Sequence, residues 1–225
     1  RFVNAGVPGF GHDQMLLHLD KIIDDVQPDV VLVGFLAIDM PRNTASFTQW
    51  AKPLFRMENG ELSADPVLPP DPDTLVRRHR WRPRLLDFSL IVAEHFAPAD
   101  SAMRHQHEMT VALLHRIAQR ARDSGAKPAF FAGPESPALE PAGHSFEAAC
   151  QRAQVPCTDA TASMTTSPDP LFADTHWNAN GHALVAQHVA NWLEAEDLVA
   201  EFRAESRPAG FDTDDQVNGE KTPGP

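Results

Sequence analysis

An acid and a histidine lie two residues apart near the C-terminal end of the chain, in the segment from Asp174 to His182 (DTHWNANGH). A carboxylate can orient an imidazole and stabilise its protonated form, as a general base in acyl transfer requires. Asp174 and His176 are therefore a candidate acid–base pair. The alternative is a helix N-terminus capped by Asn178 or Asn180. In that case Asp174 only favours the positive end of the helix dipole, and His176 is an ordinary surface residue.

A glycine-rich turn near the N-terminus is the second candidate, because its glycines let the backbone approach a bound group closely. The turn runs from Gly6 to Gly11 (GVPGFG). We predict that Arg1 to Ala5 is the end of a strand, and that the apolar spacing after the turn forms a helix ended by Pro28. The continuous apolar run from Asp29 to Leu36 is typical of a strand that is covered on both faces.

Strand, turn, helix and buried strand make a βαβ unit, which predicts a parallel sheet with right-handed crossovers. Hydrophobic periodicity then predicts a helix over Met103 to Ser124, a strand over Lys127 to Ala132, a helix over Ser145 to Ala153, a short strand over Val155 to Thr158 and a last helix ending near Val199. We therefore expect an α/β fold, a doubly wound three-layer sandwich with a mainly parallel sheet. Its active site forms at the C-terminal ends of the strands, where the loops Gly6 to Gly11, Leu36 to Asn43 and Asp159 to Asn178 meet.

The character of the chain changes between about residues 43 and 98, and we interpret this segment as an insert. Asn59-Gly60 lies between Lys52 to Met57 and Glu61 to Val67, which predicts a β-hairpin. The insert also contains a predicted helix from Leu85 to Phe96, preceded by arginines clustered around Trp81, namely Arg77, Arg78, Arg80, Arg82 and Arg84. This cluster is either a solvated rim of the helix, the commoner case, or a contact for an anionic ligand.

Composition limits the possible functions. With 225 residues, 42% of them hydrophobic, the chain can bury a full core, and we expect one domain over residues 1–200 and a disordered acidic tail over 201–225. The net charge of −12 disfavours nucleic acid as a partner. No apolar run approaches the roughly 18 residues that cross a bilayer. Cys150 and Cys157 fit neither a disulfide framework nor a metal site, and we predict no metal and no cofactor.

Taken in this order, the segments resemble a known family. Asn4 to Gly11, a buried strand ending in Asp39, and the Asp-x-His-Trp-Asn-x-x-Gly-His block look like the SGNH/GDSL hydrolases over roughly Asn4 to Trp192. The Asp-x-His-Trp spacing is also similar to that of alginate O-acetyltransferase relatives. The resemblance implies an esterase or O-acyl transferase that acts through an acyl-serine on a small-molecule or glycan ester.

The resemblance also implies roles for particular residues. His176 is the general base, Asp174 orients it, and the backbone N–H of Gly9 donates to the oxyanion, which contributes on the order of 3 kcal/mol to transition-state stabilisation. Asp39 and Asn178 are the other oxyanion or substrate-binding candidates. The alternative for Gly9 is a turn glycine with a purely geometric role.

Two departures from the family pattern matter. The oxyanion asparagine of the family falls on Ile38, whose side chain cannot donate a hydrogen bond. The Gly-Asp-Ser block that carries the nucleophile lies before the Gly6 turn in the family, ahead of Arg1. We therefore expect the 225-residue chain alone to be inactive on esters. We also expect Arg1 to Ala5 to be poorly anchored, or paired with something other than its family partner. Ser136 is the internal serine nearest to a suitable position, but it lacks the Gly-x-Ser-x-Gly elbow.

Two other functions stay open at this point. A non-catalytic relative that binds glycan or a partner protein is the main alternative, and Ile38 favours it. A metal-dependent hydrolase using Asp174, His176 and His182 is disfavoured, because His182 has no paired ligand one helical turn later.

Overall fold

A computed structural model describes residues 1–46, 51–81, 85, 88–89, 99–133, 143–161, 163, 172–173 and 176–199. Its helices are α1 (His12–Val26), α2 (Asp39–Thr44), α3 (Pro72–Trp81), α4 (Ala99–Asp123), α5 (Gly143–Ala153) and α6 (Ala179–Ala195). Its strands are β1 (Val30–Phe35), β2 (Met57–Glu58), β3 (Glu61–Leu62), β4 (Lys127–Ala132), β5 (Cys157–Asp159), β6 (Phe172–Ala173) and β7 (His176–Trp177).

Three of these strands form a parallel sheet in the order β1-β4-β5. Val30 pairs with Lys127 at one end of the sheet, and Phe130 pairs with Cys157 across the second ladder. The α/β class and the parallel sheet are therefore confirmed, and β1 and β4 begin and end within one residue of the predicted positions. Parallel neighbours need long connections, and here these contain the insert and the helices.

The predicted N-terminal strand is wrong, and the expected poor anchoring of Arg1 to Ala5 is confirmed. Residues 1–7 carry no regular structure and are exposed, and Phe2 has 87% of its surface accessible. The N–H of Gly6 bonds locally to the side chain of Asn4 at 3.0 Å, not to a neighbouring strand. The apolar pattern of this stretch finds no partner edge among the described residues, so the βαβ unit lacks its first strand.

Helix α4 forms the centre of the larger core. Its apolar residues recur at helical spacing and are at most 2% exposed, namely Met109, Leu113, Leu114, Ile117, Ala118 and Ala121. The helix ends in a Schellman motif, because Gly125 has a φ of 86° and the N–H of Ala126 bonds to the carbonyl of Ala121 at 2.9 Å. This stop lets the chain turn directly into β4.

Successive residues of β1 and β4 point into two different apolar clusters. Val33 and Phe130 join the larger cluster with residues of α1, α4 and α5. Leu32 and Phe131 join a smaller cluster around Val185 of α6. Since side chains alternate between the two faces of a strand, α6 lies on the opposite face of the sheet from α4.

The insert contains a short antiparallel pair. Strand β2 pairs with β3, with Met57 opposite Leu62. Asn59 and Gly60 between them have φ angles of 54° and 84°, as a type I′ turn requires. Both strands are shorter than predicted, and beyond them Leu54 and Val67 form an isolated antiparallel bridge. Most of the predicted helix from Leu85 to Phe96, like the predicted tail over 201–225, falls outside the described residues.

The expectation for the cysteines is wrong, because Cys150 and Cys157 form a disulfide that joins α5 to β5. The two cysteines are only seven positions apart in sequence. The pair escaped prediction because two cysteines in a 225-residue chain carry no framework pattern. Within the described residues, no helix has the length and apolar character to cross a membrane, as predicted.

Candidate functional site

Trp177 links the segment that carries His176 to the C-terminal ends of β1 and β4. Gly133 follows β4 directly, and a Cβ atom built on it would lie 2.7 Å from the Trp177 ring and 3.0 Å from Leu36, which follows β1. These three residues are therefore in close contact at the C-terminal edge of the sheet. His176, the neighbour of Trp177, is fixed at the same edge.

His176 is exposed in β7, which pairs antiparallel with β6 and places His176 opposite Ala173. Its expected partner Asp174 lies outside the described residues, so the acid–base pair stays a prediction. Ser136 lies outside them as well.

Gly9 lies in the turn before α1 with a φ of 82° and is exposed. Glycine adopts a positive φ without steric cost, so Gly9 has the role of a turn glycine. Its role as an oxyanion donor stays a prediction. Gly11 is packed more tightly, because a Cβ atom there would lie 2.7 Å from Oδ1 of Asn43. The glycine turn therefore lies against α2, which follows β1.

A buried polar cluster joins this turn to α2 and α4. Oδ1 of Asn43 accepts the backbone N–H of His12 at 2.7 Å, and its Nδ2 lies 3.0 Å from Nδ1 of His12 and 2.8 Å from the hydroxyl of Thr110. All three residues are fully buried. Because the Asn43 oxygen is occupied, its amide donates to both neighbours, which makes Nδ1 of His12 an acceptor and leaves the ring proton on Nε2.

His12 is held neutral by this environment. Burial lowers the pKa of the imidazole from its ordinary 6.5 to about 4, because a charged ring would lose its hydration. The ring also stacks on Phe35 with centroids 5.6 Å apart, and its Nε2 has no hydrogen-bond partner among the described residues. A second proton at Nδ1 would face the Asn43 amide, so neutrality is favoured by geometry as well.

Next to His12, Asp13 forms a buried ion pair with Lys52 of the insert. Burial raises the pKa of the Asp13 carboxyl, while Lys52 opposes the shift. Oδ1 of Asp13 also accepts the N–H of Gln14 at 2.8 Å. The pair ties the insert to the glycine turn. No sequence signal pointed to it, because the two residues are 39 positions apart.

Asp39 does not end the strand as expected. Strand β1 ends at Phe35, and Asp39 begins α2, where it is buried and bonds to Arg42 at 2.5 Å. This ion pair gives Asp39 a structural role, and its role toward substrate stays a prediction. Ile38, which replaces the expected asparagine, is 41% exposed just before α2.

Asn178 caps α6, because its side chain accepts the N–H of Gly181 at 3.0 Å. The capping alternative is therefore correct for Asn178. Asn180 lies within the first turn of the helix instead. A role of Asn178 in substrate binding stays a prediction, and its side-chain oxygen is already engaged by the helix.

Ser163 and His188, which the sequence analysis did not single out, lie next to each other beside β5. The hydroxyl of Ser163 is 2.6 Å from Nδ1 of His188, and Thr158 is 2.8 Å from Nε2. They line a pocket of about 470 Å³ with Leu184 and Trp192 of α6. Serine beside imidazole is the arrangement of a nucleophile and its base. Here the second ring nitrogen meets a hydroxyl, not a carboxylate, and we interpret the trio as an anchor of α6 on β5.

Among the described residues, no group of three or more His, Cys, Asp or Glu side chains is placed to hold a metal ion. Comparisons with protein-family models, with curated proteins and with solved structures gave no match.

Proposed function

We propose that this chain is the His-bearing part of an SGNH-type ester hydrolase or O-acyl transferase, with a doubly wound three-layer fold. His176 acts as general base, oriented by Asp174, and the backbone N–H of Gly9 stabilises the oxyanion. The substrate is a small-molecule or glycan ester. The nucleophilic serine lies ahead of the Gly6 turn, as in the family that the sequence resembles.

The contact of Trp177 with Gly133 and Leu36 is the observation that carries the proposal. It holds an exposed histidine at the C-terminal edge of a parallel sheet, where α/β folds bind their ligands. The helices on both faces of the sheet support the layered fold. The packing of Gly11 against Asn43 supports a position of the glycine turn beside the loop after β1.

The test is hydrolysis of 4-nitrophenyl acetate by the protein expressed from the start codon of its gene. We expect turnover, and we expect His176→Ala to lower kcat/KM by roughly 10²- to 10⁴-fold, the usual contribution of a general base. His105→Ala changes an exposed histidine on α4 and is the matched control. Full activity in His176→Ala contradicts the proposal.

Internal serines are tested in the same assay. The 225-residue chain alone is expected to be inactive. Turnover by that chain that is lost in both Ser136→Ala and His176→Ala identifies Ser136 as the nucleophile. If turnover is lost in both Ser163→Ala and His188→Ala but not in His176→Ala, the reaction takes place in the pocket that Ser163 and His188 line.

The second candidate is a non-catalytic relative that binds glycan or a partner protein. The exposed apolar side chain of Ile38 favours it, because no donor is available there for an oxyanion. Absence of turnover in the protein expressed from the start codon supports this alternative.

A further inference from the structure

A cleft of about 1040 Å³ lies between α3 and the part of the insert that contains β2 and β3, and none of the residues of the proposed reaction lines it. We call it the hairpin cleft. Its apolar wall is formed by Leu54, Val67, Leu68 and Val76. The last three are 44%, 70% and 64% exposed. A concave apolar surface of this volume is on the scale of small-molecule binding sites.

The charges on the hairpin cleft all have one sign. Lys52, Arg56 and Arg80 line it, and none of the described lining residues is acidic. Lys52 is neutralised by its ion pair with Asp13. Arg56 and Arg80 are exposed, and neither takes part in an ion pair between described residues. The cleft thus combines an apolar wall with two available guanidinium groups, on a chain whose net charge is −12.

We propose that the hairpin cleft binds an anionic amphiphile, a carboxylate that carries an apolar chain. The planar guanidinium fork matches the two oxygens of a carboxylate, and the apolar wall removes the chain from water. A neutral lipid leaves the two cations without a partner, and a small anion leaves the wall exposed. This inference does not depend on the proposed function, because none of its residues belongs to the proposed reaction.

The experiment is calorimetric titration of the 225-residue chain with decanoate, 1-decanol and acetate. We expect decanoate to bind at least tenfold more tightly than 1-decanol, and acetate to show no saturable binding. Arg56→Gln and Arg80→Gln should each weaken decanoate binding about tenfold. Val76→Asp should abolish it, because it places a negative charge on the apolar wall.

Matched controls come from exposed positions on α4. Arg104→Gln removes a positive charge elsewhere, and Met103→Asp introduces an acid at a position that is 56% exposed; both should bind decanoate like the unaltered chain. His176→Ala should also leave binding unchanged, which separates this inference from the proposed function. Equal binding of 1-decanol and decanoate, or decanoate binding that survives Arg56→Gln, Arg80→Gln and Val76→Asp, overturns the proposal.

Discussion

Ile38 occupies the position where the resemblance expects an oxyanion asparagine, and its partial exposure makes it replaceable without disturbing the core. If the chemistry is acyl transfer, Ile38→Asn in the protein expressed from the start codon should raise kcat by about 10²-fold, because one oxyanion donor is worth that much. Steady-state hydrolysis of 4-nitrophenyl acetate measures the change. An unchanged or lower kcat means that another group fills the role or that no oxyanion forms.

The residue that caps α6, Asn178, directly follows the strand that carries His176. Asn178→Ala should lower the free energy of unfolding by about 1 kcal/mol, because the N–H of Gly181 loses its acceptor. Urea denaturation measures the difference. Asn180→Ala is the matched control, since Asn180 is exposed inside the helix and should have an effect within about 0.5 kcal/mol. Equal effects of the two substitutions contradict the capping assignment.

The disulfide joins two elements that pack on the larger core. Cys150→Ser combined with Cys157→Ser should lower the free energy of unfolding by on the order of 2 kcal/mol, the chain-entropy value for so short a loop. For a chain of this size the melting temperature should fall by about 4 to 8 °C. Scanning calorimetry with and without reductant checks this, and reductant should not affect the double variant. If neither the double substitution nor the reductant changes the melting temperature, the disulfide does not stabilise the native state.

His12 makes the free energy of unfolding depend on pH. Its folded pKa of about 4 lies below the ordinary 6.5, so between these values the unfolded chain binds more protons than the folded chain. Stability is therefore lost as pH falls from about 6.5 toward 4. Between pH 7 and pH 4.5 this group should account for about 2 kcal/mol of lost unfolding free energy.

Urea denaturation of the unaltered chain and of His12→Gln at both pH values isolates this contribution. The variant cannot take up the proton, so its pH dependence should be smaller by that amount. His105→Gln changes an exposed histidine and serves as control. The comparison between variants is needed because burial raises the pKa of Asp13, which acts with the opposite sign. Identical slopes for the unaltered chain and His12→Gln contradict the prediction.

The sequence predicted those helices and strands whose hydrophobic pattern lies within the element itself. The apolar run of β1, the periodicity of α4 and the end of that helix near Ser124 required no knowledge of distant contacts. The strand predicted over Arg1 to Ala5 is wrong because an apolar stretch becomes a strand only when a neighbouring edge is available to it.

The candidate site shows the same division. The sequence offered Gly9, His176 and the cap at Asn178, since each belongs to a short motif. It did not reveal Asp13 with Lys52, or His188 between Ser163 and Thr158. These contacts bring together residues far apart in the chain, and each residue type alone is common on protein surfaces.

The bridge between Cys150 and Cys157 also gives the chain two covalent forms. Its loop is so short that the two sulfurs can meet in the unfolded chain, before the sheet has formed. Oxidising surroundings then close the loop, whereas the glutathione of a cytosol keeps both thiols reduced. The place where the chain folds thus decides which form exists. The reduced chain is heavier by two hydrogen atoms. The intact mass of protein taken directly from its host therefore shows whether the chain folded in an oxidising or a reducing compartment.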